Sequence, residues 1–475
     1  MPIALLGSLI LDRTAKRSLQ RQLCLELKRL IQHGVLPADG QVPSSRALAE
    51  DLRVSRNTVT AAYDRLVGEG YLDARPRSGL FVSASLASVP RVRHQRRATR
   101  PPLDPDETAP ALRGPRPFRP CQPDVRLFPL TVWNRLRARR LRVDSAPLLH
   151  YQSGLAMGLK ELRQALAAYL RDSRGVECDW RQVAITSGSQ QALYILGQLL
   201  LDAGDRVLVE DPGYPGARNA WLLRGATLEP AAVDVQGLVP PETFGSIKPT
   251  IIYCTPSRQF PTGACLPVSR RLAWLDFARR TSAWLVEDDY DSEYRYSHPP
   301  MPSLHSLDSA GRVIYVGSMS KVLFPSLRIG YLVLPPALVD RFAALRSVVD
   351  DHGPLVDQAT LAAFIDSGAF YTHIRRSRRA YGERQHVFLE TARRTGLPLT
   401  FSHTDGGMNL LGNLPAGNDD GRVSRRLEKA GFDVPALSAY ALRRPASGLV
   451  FGYTAFEPAA LRREVNRLAR AMTQA

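Results

Sequence analysis

The residue best suited to covalent chemistry in this chain is a lysine that follows a short apolar run. Lys321 ends the sequence Gly-Ser-Met-Ser-Lys at residues 317–321, directly after residues 312–316, and Arg328 follows seven residues later. A lysine amine can hold an aldehyde cofactor as an imine, while hydroxyls and a guanidinium bind a phosphate group. These residue types and their spacing predict a site for a phosphorylated aldehyde at the end of a buried strand.

Three further polar motifs suit the same ligand, and each has a simpler alternative. Gly188 and Ser189 open a helical stretch, where free amides and the helix dipole attract phosphate, but a plain capped helix has the same pattern. Tyr214, on a tight turn, could stack on a cofactor ring or pack as an ordinary loop tyrosine. Asp288, close to Tyr290, would be costly to bury without a cation such as a protonated pyridine nitrogen. A helix cap or a metal ligand is the alternative for this aspartate.

Buried strands alternating with amphipathic helices must position these motifs. Beyond residue 120 this alternation predicts an α/β fold with a large, mainly parallel sheet between helices and a small α+β subdomain at the C-terminal end. The motifs follow the carboxyl ends of strands, where open α/β sheets bind ligands. The predicted strands are Arg206–Glu210, Thr250–Cys254, Ala283–Val286, Val313–Val316 and Ile329–Leu334.

The first eighty residues predict a separate unit of three helices and a hairpin. Apolar residues at helical spacing indicate helices over residues 16–33, after Pro43, and from Arg56 to Leu66. Arg56, Asn57 and Thr60 fall on the exposed face of the third helix, and short polar and cationic side chains there suit a DNA major groove. A hairpin tip at residues 75–77 adds two arginines. The alternative is a small helical unit with a solvated basic face.

The charge balance favours a polyanionic partner. Lys and Arg number 63 against 45 Asp and Glu, a net charge of +18, which favours nucleic acid unless the excess reflects an arginine-rich proteome. The five cysteines are scattered without metal-ligand spacing, so we expect no metal site and a reducing, cytoplasmic setting. No segment approaches the roughly 20 apolar residues of a membrane span, and we expect a soluble protein with no membrane partner.

A change in composition predicts the domain boundaries. Residues 83–119 are rich in arginine and proline with almost no apolar periodicity, which is typical of an extended, mobile linker. Its arginines either add nonspecific DNA affinity or belong to a solvated tether. The predicted domains are therefore residues 12–82, which bind DNA, the linker 83–119, and residues 120–475, which hold the cofactor.

The N-terminal motifs resemble a known family. Pro-Ser-Ser-Arg at 43–46, Val-Ser-Arg-Asn-Thr-Val at 54–59 and Glu-Gly-Tyr-Leu at 69–72 closely resemble the GntR-type winged helix-turn-helix. The resemblance implies that the third helix reads the major groove and that the wing, which has less glycine here than is usual, lies against the DNA backbone. The exposed face and the resemblance together predict contacts with double-stranded DNA by Ser44, Ser45, Arg46, Ser55, Arg56, Asn57, Thr58, Thr60, Arg75, Arg77, Ser78 and Gly79.

Taken in chain order, the four polar motifs resemble fold-type-I pyridoxal-phosphate enzymes, the aspartate-aminotransferase class, over residues 120–470. The resemblance implies pyridoxal 5'-phosphate as cofactor and a homodimer with shared sites. Lys321 would form the internal aldimine, Asp288 would pair with the pyridine nitrogen, Tyr290 would bond the ring hydroxyl, and Tyr214 would stack on the ring. The phosphate would be held by Gly188, Ser189, Ser318, Ser320 and Arg328, with Tyr151 reaching it from the partner subunit.

A winged helix joined by a basic linker to such a domain resembles the MocR/GabR-type transcriptional regulators. Residues 255–263 and 287–293 resemble that subfamily more than true aminotransferases. Phe260 stands where aminotransferases usually have an asparagine. Val450 stands where they place the arginine that clamps a substrate carboxylate, so the bidentate clamp is missing.

Three functions follow from these observations. The first is a transcriptional regulator that senses an amine, an amino acid or pyridoxal phosphate itself through Lys321. The second is a working aminotransferase with an appended DNA-binding domain, which the missing clamp disfavours. The third gives the cofactor a purely structural role. We expect sensing with at most slow transamination; the sequence names neither the effector nor the operator, nor activation or repression.

Overall fold

The computed structural model describes residues 11–13, 17–76, 78–85, 116–150, 153–245, 247–297, 301–402, 405–443 and 447–473. The chain divides into two compact units, residues 1–109 and 110–475. Within the described ranges, no helix is both long enough and apolar enough to cross a membrane.

The N-terminal unit contains three helices and one hairpin in its described part: α1 (Leu19–Gln32), α2 (Ser45–Asp51), α3 (Arg56–Gly68), β1 (Leu72–Arg75) and β2 (Gly79–Val82). The two strands pair antiparallel. Ser44 Oγ accepts from Ala47 N at 3.2 Å, and Ser55 Oγ accepts from Thr58 N at 3.1 Å. Helices α2 and α3 therefore each begin at a serine N-cap. Leu27, Leu48 and Leu66 are buried in one core, which fixes α3 against the other helices.

The C-terminal unit is built on a large mixed sheet. Its strands within the described ranges are β3 (Val183–Thr186), β4 (Arg206–Asp211), β5 (Thr227–Asp234), β6 (Gly237–Leu238), β7 (Ile251–Cys254), β8 (Trp284–Asp289), β9 (Val313–Ser318) and β10 (Gly330–Val333). Their order is β3-β10-β9-β8-β7-β4-β5-β6. The five from β9 to β5 run parallel.

Helices cover both faces of this sheet. They are α4 (Leu130–Val143), α5 (Ser145–Leu149), α6 (Lys160–Arg174), α7 (Ser189–Leu200), α8 (Pro215–Leu222), α9 (Val268–Thr281), α10 (Leu304–Leu307), α11 (Met319–Val322), α12 (Pro336–Val349) and α13 (Leu355–Asp366). Successive residues of β9 pack into different cores on the two faces of the sheet. Tyr315 packs in the cluster of Leu166, and Val316 packs in the cluster of Trp221. Burial on both faces explains why the strands are nearly continuously apolar.

A smaller lobe follows the sheet. The long helix α14 (Ala369–Arg394) leads into an antiparallel sheet of β11 (Thr400–Phe401), β12 (Asn409–Asn413) and β13 (Gly448–Gly452), with α15 (Asp420–Lys429) and α16 (Pro458–Thr473). We call residues 369–473 the small lobe. The architecture predicted from sequence is therefore present in both lobes.

The direction of β10 differs from what a mainly parallel sheet implies. β10 is antiparallel to both of its neighbours, β3 and β9. Residues 319–329 join β9 to β10 through only the four-residue helix α11 and a 3-10 turn at Pro325–Leu327. A parallel return needs a longer crossover, so this short connection leaves only the antiparallel arrangement.

The C-terminal core begins before residue 120. Phe118, which composition assigned to the linker, is fully buried among Phe388, Phe432 and Phe451, with ring centroids 5.7 to 5.9 Å away. The carbonyl of Phe118 accepts from Gly452 N at 2.7 Å. Residues 116–119 therefore belong structurally to the small lobe.

Replacing Phe118 with alanine should destabilise the C-terminal unit by about 3 kcal/mol, because it opens a cavity in an aromatic cluster. All five tryptophans lie beyond residue 130, so tryptophan fluorescence during denaturant unfolding reports on this unit alone. Val125→Ala is the matched control, since that side chain is 55% exposed and its loss should change little. An unchanged unfolding midpoint for Phe118→Ala would contradict the packing described here.

Candidate cofactor site and nucleic-acid interface

Lys321 lies where a strand of the large sheet ends. β9 ends at Ser318, and the single turn α11 buries Met319 and Val322, which leaves the Lys321 side chain half-buried between them. Its Nζ donates to the carbonyl of Cys121 at 3.4 Å. The amine thus points to the first residues of the C-terminal unit.

Asp288 provides a buried carboxylate at the end of β8, the strand beside β9 in the sheet. Tyr253 Oη donates to Asp288 Oδ2 at 2.8 Å, while Oδ1 is buried with no hydrogen-bond partner in the described structure. Burial raises the pKa of Asp288 to about 7, opposed by the Tyr253 hydrogen bond and by the nearby Lys321. A protonated aromatic nitrogen would supply the missing partner of Oδ1 and favour the ionised carboxylate.

Gly188 and Arg328, two of the residues predicted to bind the phosphate, meet at a tight turn. Gly188 is the N-cap of α7 with φ 92°, and Arg328 Nη2 donates to the neighbouring Ser187 carbonyl at 2.9 Å. A Cβ at Gly188 would lie 2.9 Å from Arg328 Nη2, and one at Gly330 would lie 2.6 Å from the Gly188 backbone. Only glycine therefore brings the helix N-terminus and the guanidinium together, as an anion site requires.

Two serines that precede Lys321 are also candidates to contact a ligand. Ser318 and Ser320 are buried, and Ser320 Oγ has no hydrogen-bond partner among the described residues. Ser189 starts α7 and is half-buried. A buried hydroxyl without a partner is costly, so a bound phosphate oxygen would stabilise Ser320.

Aromatic side chains line the same region. Phe260 makes edge contacts with Tyr214, Tyr290 and Tyr440, with ring centroids 6.0, 5.9 and 5.1 Å away. Tyr214 Oη also donates to Gln190 at 3.1 Å, and burial raises its pKa to about 12. Both predicted tyrosines thus lie around Phe260, the residue that replaces the usual asparagine.

Val450, at the predicted clamp position, is fully buried. It packs with Leu411 and Leu437, and Tyr440 covers this cluster. The local environment is apolar and would not accept a guanidinium without a partner. The geometry agrees with the absence of a carboxylate clamp at this position.

Sequence reasoning missed several buried residues behind the site. Tyr253 lies in an apolar run and resembles an ordinary core residue in the sequence. The structure shows that its hydroxyl donates to Asp288. Arg174 Nε pairs with Asp289 Oδ2 at 2.8 Å. Glu210 accepts from Thr255 and Gln259, and burial raises its pKa to about 7. No periodic signal distinguishes such residues from ordinary core positions.

The DNA-contacting residues predicted from sequence lie mainly on one surface of the N-terminal unit. Arg46, Arg56, Asn57 and Thr60 are exposed on α2 and α3, and Arg56 Nε donates to Ser45 Oγ at 3.4 Å. The predicted contacts Ser44 and Ser55 are helix caps, and Thr58 Oγ1 lies 2.8 Å from Ser55 Oγ, so these hydroxyls are already engaged.

The hairpin is engaged within its own unit. Arg75 pairs with Asp39 and lies over the Phe81 ring at 4.3 Å, so its guanidinium is not a free phosphate ligand. Ser78 and Gly79 are exposed, and Gly79 has φ 106°, which favours glycine. Arg77 and Tyr151, predicted to contact DNA and the partner's phosphate respectively, lie outside the described residues.

Known proteins show the same two units. A family model for aminotransferase class I and II matches residues 144–429, and one for bacterial regulatory proteins of the gntR family matches residues 19–82. The probable rhizopine catabolism regulatory protein MocR of Rhizobium meliloti is 40% identical, covering 97% of this chain and 95% of that protein. The transcriptional regulator TauR of Rhodobacter capsulatus is 34% identical, covering 94% and 96%.

Solved structures resemble the C-terminal unit. Kynurenine aminotransferase of Pyrococcus horikoshii, solved in complex with PMP, has a TM-score of 0.70 at 27% identity, covering 75% of this chain and 90% of that one. Fold and site together define a winged-helix transcriptional regulator with a pyridoxal-phosphate domain of the aminotransferase fold. The chain belongs to the MocR-type regulators of the gntR family. The predicted fold class, cofactor and regulatory function are confirmed, while the individual residue roles stay predictions.

Replacing Arg328 with alanine should weaken pyridoxal-phosphate binding about tenfold or more, since hydrogen bonds to charged groups contribute about 1.5–3 kcal/mol. Binding of pyridoxal, which lacks the phosphate, should be unchanged. Titration of the cofactor-free protein by absorbance measures both affinities. Arg341→Ala is the control, because that arginine donates to the Leu199 carbonyl elsewhere on the surface. Equal losses for both ligands would rule out a phosphate role for Arg328.

Proposed function

We propose that this chain is a cytoplasmic homodimer that controls transcription in response to a small amine, an amino acid or pyridoxal phosphate itself. The observation that carries the proposal is the pairing, in one chain, of an exposed helix α3 suited to a major groove with a lysine, Lys321, beside a buried carboxylate whose Oδ1 lacks a partner. The relatives MocR and TauR support it, because each is a regulator that matches this chain over nearly the whole length of both proteins.

Different residues of the site would hold different parts of the cofactor. Lys321 Nζ would hold the aldehyde, Asp288 would pair with the ring nitrogen, and Tyr214 and Tyr290 would contact the ring and its hydroxyl. Gly188, Ser189, Ser318, Ser320 and Arg328 would bind the phosphate, with Tyr151 contributing from the second copy of the chain. When bound, the cofactor supplies an aldehyde carbon that reacts reversibly with primary amines.

The effector must act through a difference in affinity between two arrangements of the dimer. A bound amine would contact the side chains around Phe260, namely Tyr214, Tyr290 and Tyr440. The name of the relative MocR, which links that protein to rhizopine catabolism, supports a metabolite as the effector. The DNA contacts would come from the exposed residues of α2 and α3, with Ser78 and Gly79 at the hairpin.

An aminotransferase with an appended DNA-binding unit is the second candidate, because Lys321 and Asp288 are also the residues transamination needs. Val450 argues against it, since a buried valine cannot orient a substrate carboxylate as an arginine does. Any transamination should therefore be slow, and regulation remains the better-supported function.

The function can be tested on DNA from upstream of the chain's own gene. Binding of that DNA should change about tenfold when pyridoxal phosphate or an effector amine is added, within the usual range of allosteric coupling. Lys321→Ala should bind the DNA but lose the response, and borohydride should trap no cofactor on it. Lys429→Ala, an exposed lysine on α15, should behave as the unaltered protein. Unchanged DNA affinity across cofactor and a panel of amines would refute the proposal.

A further inference from the structure

Tyr253 is buried beside Asp288, the carboxylate proposed to pair with the ring nitrogen of the cofactor. It lies on β7, next to β8 in the sheet, and is 1% exposed, with its ring edge-on to Trp221 at 5.3 Å. Its hydroxyl donates to Asp288 Oδ2 at 2.8 Å. A buried tyrosine hydroxyl needs a partner, and a buried carboxylate needs a donor, so each group satisfies the other.

Burial favours the neutral form of Asp288, and the Tyr253 hydrogen bond opposes that effect. The titratable groups that face it are Asp289 on its own strand, Glu210 on β4, Cys254 on β7, Lys321 on α11, and the tyrosines Tyr214, Tyr253 and Tyr290. Among the described residues, Tyr253 is the one that hydrogen-bonds Asp288. Burial raises the pKa of Tyr253 as well, so the phenol keeps its proton and remains a donor.

We infer that Tyr253 is a positioning residue of the cofactor site. Its hydroxyl donates to Oδ2 of Asp288 and stabilises the ionised carboxylate. Oδ1 is then free to pair with the protonated ring nitrogen of the cofactor. Without the hydroxyl, burial would favour the neutral acid, which cannot pair with a cationic nitrogen.

Tyr253→Phe keeps the ring and removes the donor. Cofactor affinity should fall about tenfold at pH 7, the effect of losing one hydrogen bond to a charged group. The deficit should shrink towards pH 9, because the variant's Asp288 takes up its proton at a higher pH than the unaltered protein's and is ionised again in alkaline solution. Titration of the cofactor-free protein by absorbance at both pH values measures this ratio.

Two comparisons separate positioning from packing. Tyr315→Phe removes a hydroxyl from Asp289, one residue along, where Arg174 and Ser292 remain as donors, so cofactor affinity should stay near normal. In the Asp288→Asn background, Tyr253→Phe should have little further effect, because the interaction is already gone. That double variant also replaces both partners and should fold even where Tyr253→Phe alone does not. A loss of the same size at both pH values, or in the Asp288→Asn background, would overturn the inference.

A second feature concerns the first residues of the C-terminal unit, 116–124, which we call the anchor segment. Its backbone is fixed to three elements of the small lobe. Gly452 N on β13 donates to the Phe118 carbonyl at 2.7 Å, Cys121 N donates to Asn409 Oδ1 on β12 at 2.7 Å, and Asp124 N donates to Tyr381 Oη on α14 at 2.9 Å. The anchor segment must therefore follow any movement of the small lobe.

The anchor segment also touches the cofactor lysine and is conformationally strained. The carbonyl of Cys121 accepts from Lys321 Nζ at 3.4 Å. Phe118 and Cys121 have φ of 71° and 57°, a backbone region that side chains disfavour. Such conformations persist only where surrounding contacts hold them, so loss of a contact favours another arrangement.

We propose that the anchor segment passes the ligand state of Lys321 to the chain that leads to the DNA-binding unit; this rests on the proposed function. Holding the cofactor takes the Lys321 amine away from the Cys121 carbonyl. The hydrogen bonds to the small lobe then decide where the anchor segment lies.

Asn409→Ala removes the bonds from Asn409 to Cys121 N and Sγ, and should reduce the cofactor-dependent change in DNA affinity at least fivefold. Asn413→Ala on the same strand removes only a bond to the Thr400 carbonyl and should leave the response intact. The readout is binding of DNA from upstream of the chain's own gene, with and without pyridoxal phosphate.

The two possible failures are distinguishable. If the unaltered protein shows no cofactor-dependent change in DNA affinity with any amine present, the proposed function fails. If the unaltered protein responds and Asn409→Ala, loaded with cofactor to the same extent, responds equally, only the role of the anchor segment is refuted.

Discussion

The cofactor site depends on one constraint, the burial of four acidic residues. They are Glu287, Asp288 and Asp289 at the end of β8 and Asp291 in the turn that follows. Glu287 accepts from the backbone amides of Leu304 and His305, Asp289 pairs with Arg174, and Asp291 lies 3.4 Å from Arg258. Asp288 differs, because in the described structure no ion pair joins it to lysine or arginine and a phenol is its hydrogen-bond donor. A cationic ring nitrogen would give Asp288 the charged partner that the other three acids already have.

The sequence was sufficient for the parts of the molecule that depend on local chemistry. Polar residues after apolar runs identified Lys321, Asp288 and Gly188 as one candidate site, because strand ends meet at one edge of an α/β sheet. Contacts between distant residues were beyond such reasoning. Tyr253 lies in the buried run Ile251–Cys254 and carries no sign of its partner 35 residues later. Phe118 lies in a proline- and arginine-rich stretch, and only the small lobe gives it a core.

The same scaffold serves enzymes and regulators because the cofactor and the substrate carboxylate are held by different residues. Asp288, Lys321 and the turn at Gly188, which are proposed to hold the cofactor, are built on the large sheet. Val450 lies on β13 of the small lobe, in an apolar cluster with Leu411 and Leu437. A valine at the predicted clamp position would therefore leave cofactor binding intact and remove the orientation that fast turnover needs.

Net charge alone would not have located the DNA-binding surface. Many of the arginines behind the excess of +18 are engaged inside the protein: Arg271 is fully buried beside Glu287, Arg174 is paired with Asp289, and Arg75 is held by Asp39 and Phe81. The informative feature is instead the face of α3, where Val59, Ala62 and Leu66 are buried and Arg56, Asn57 and Thr60 are left exposed. Because the apolar stripe fixes the rotation of this helix, it also determines which side chains are exposed and would face a major groove.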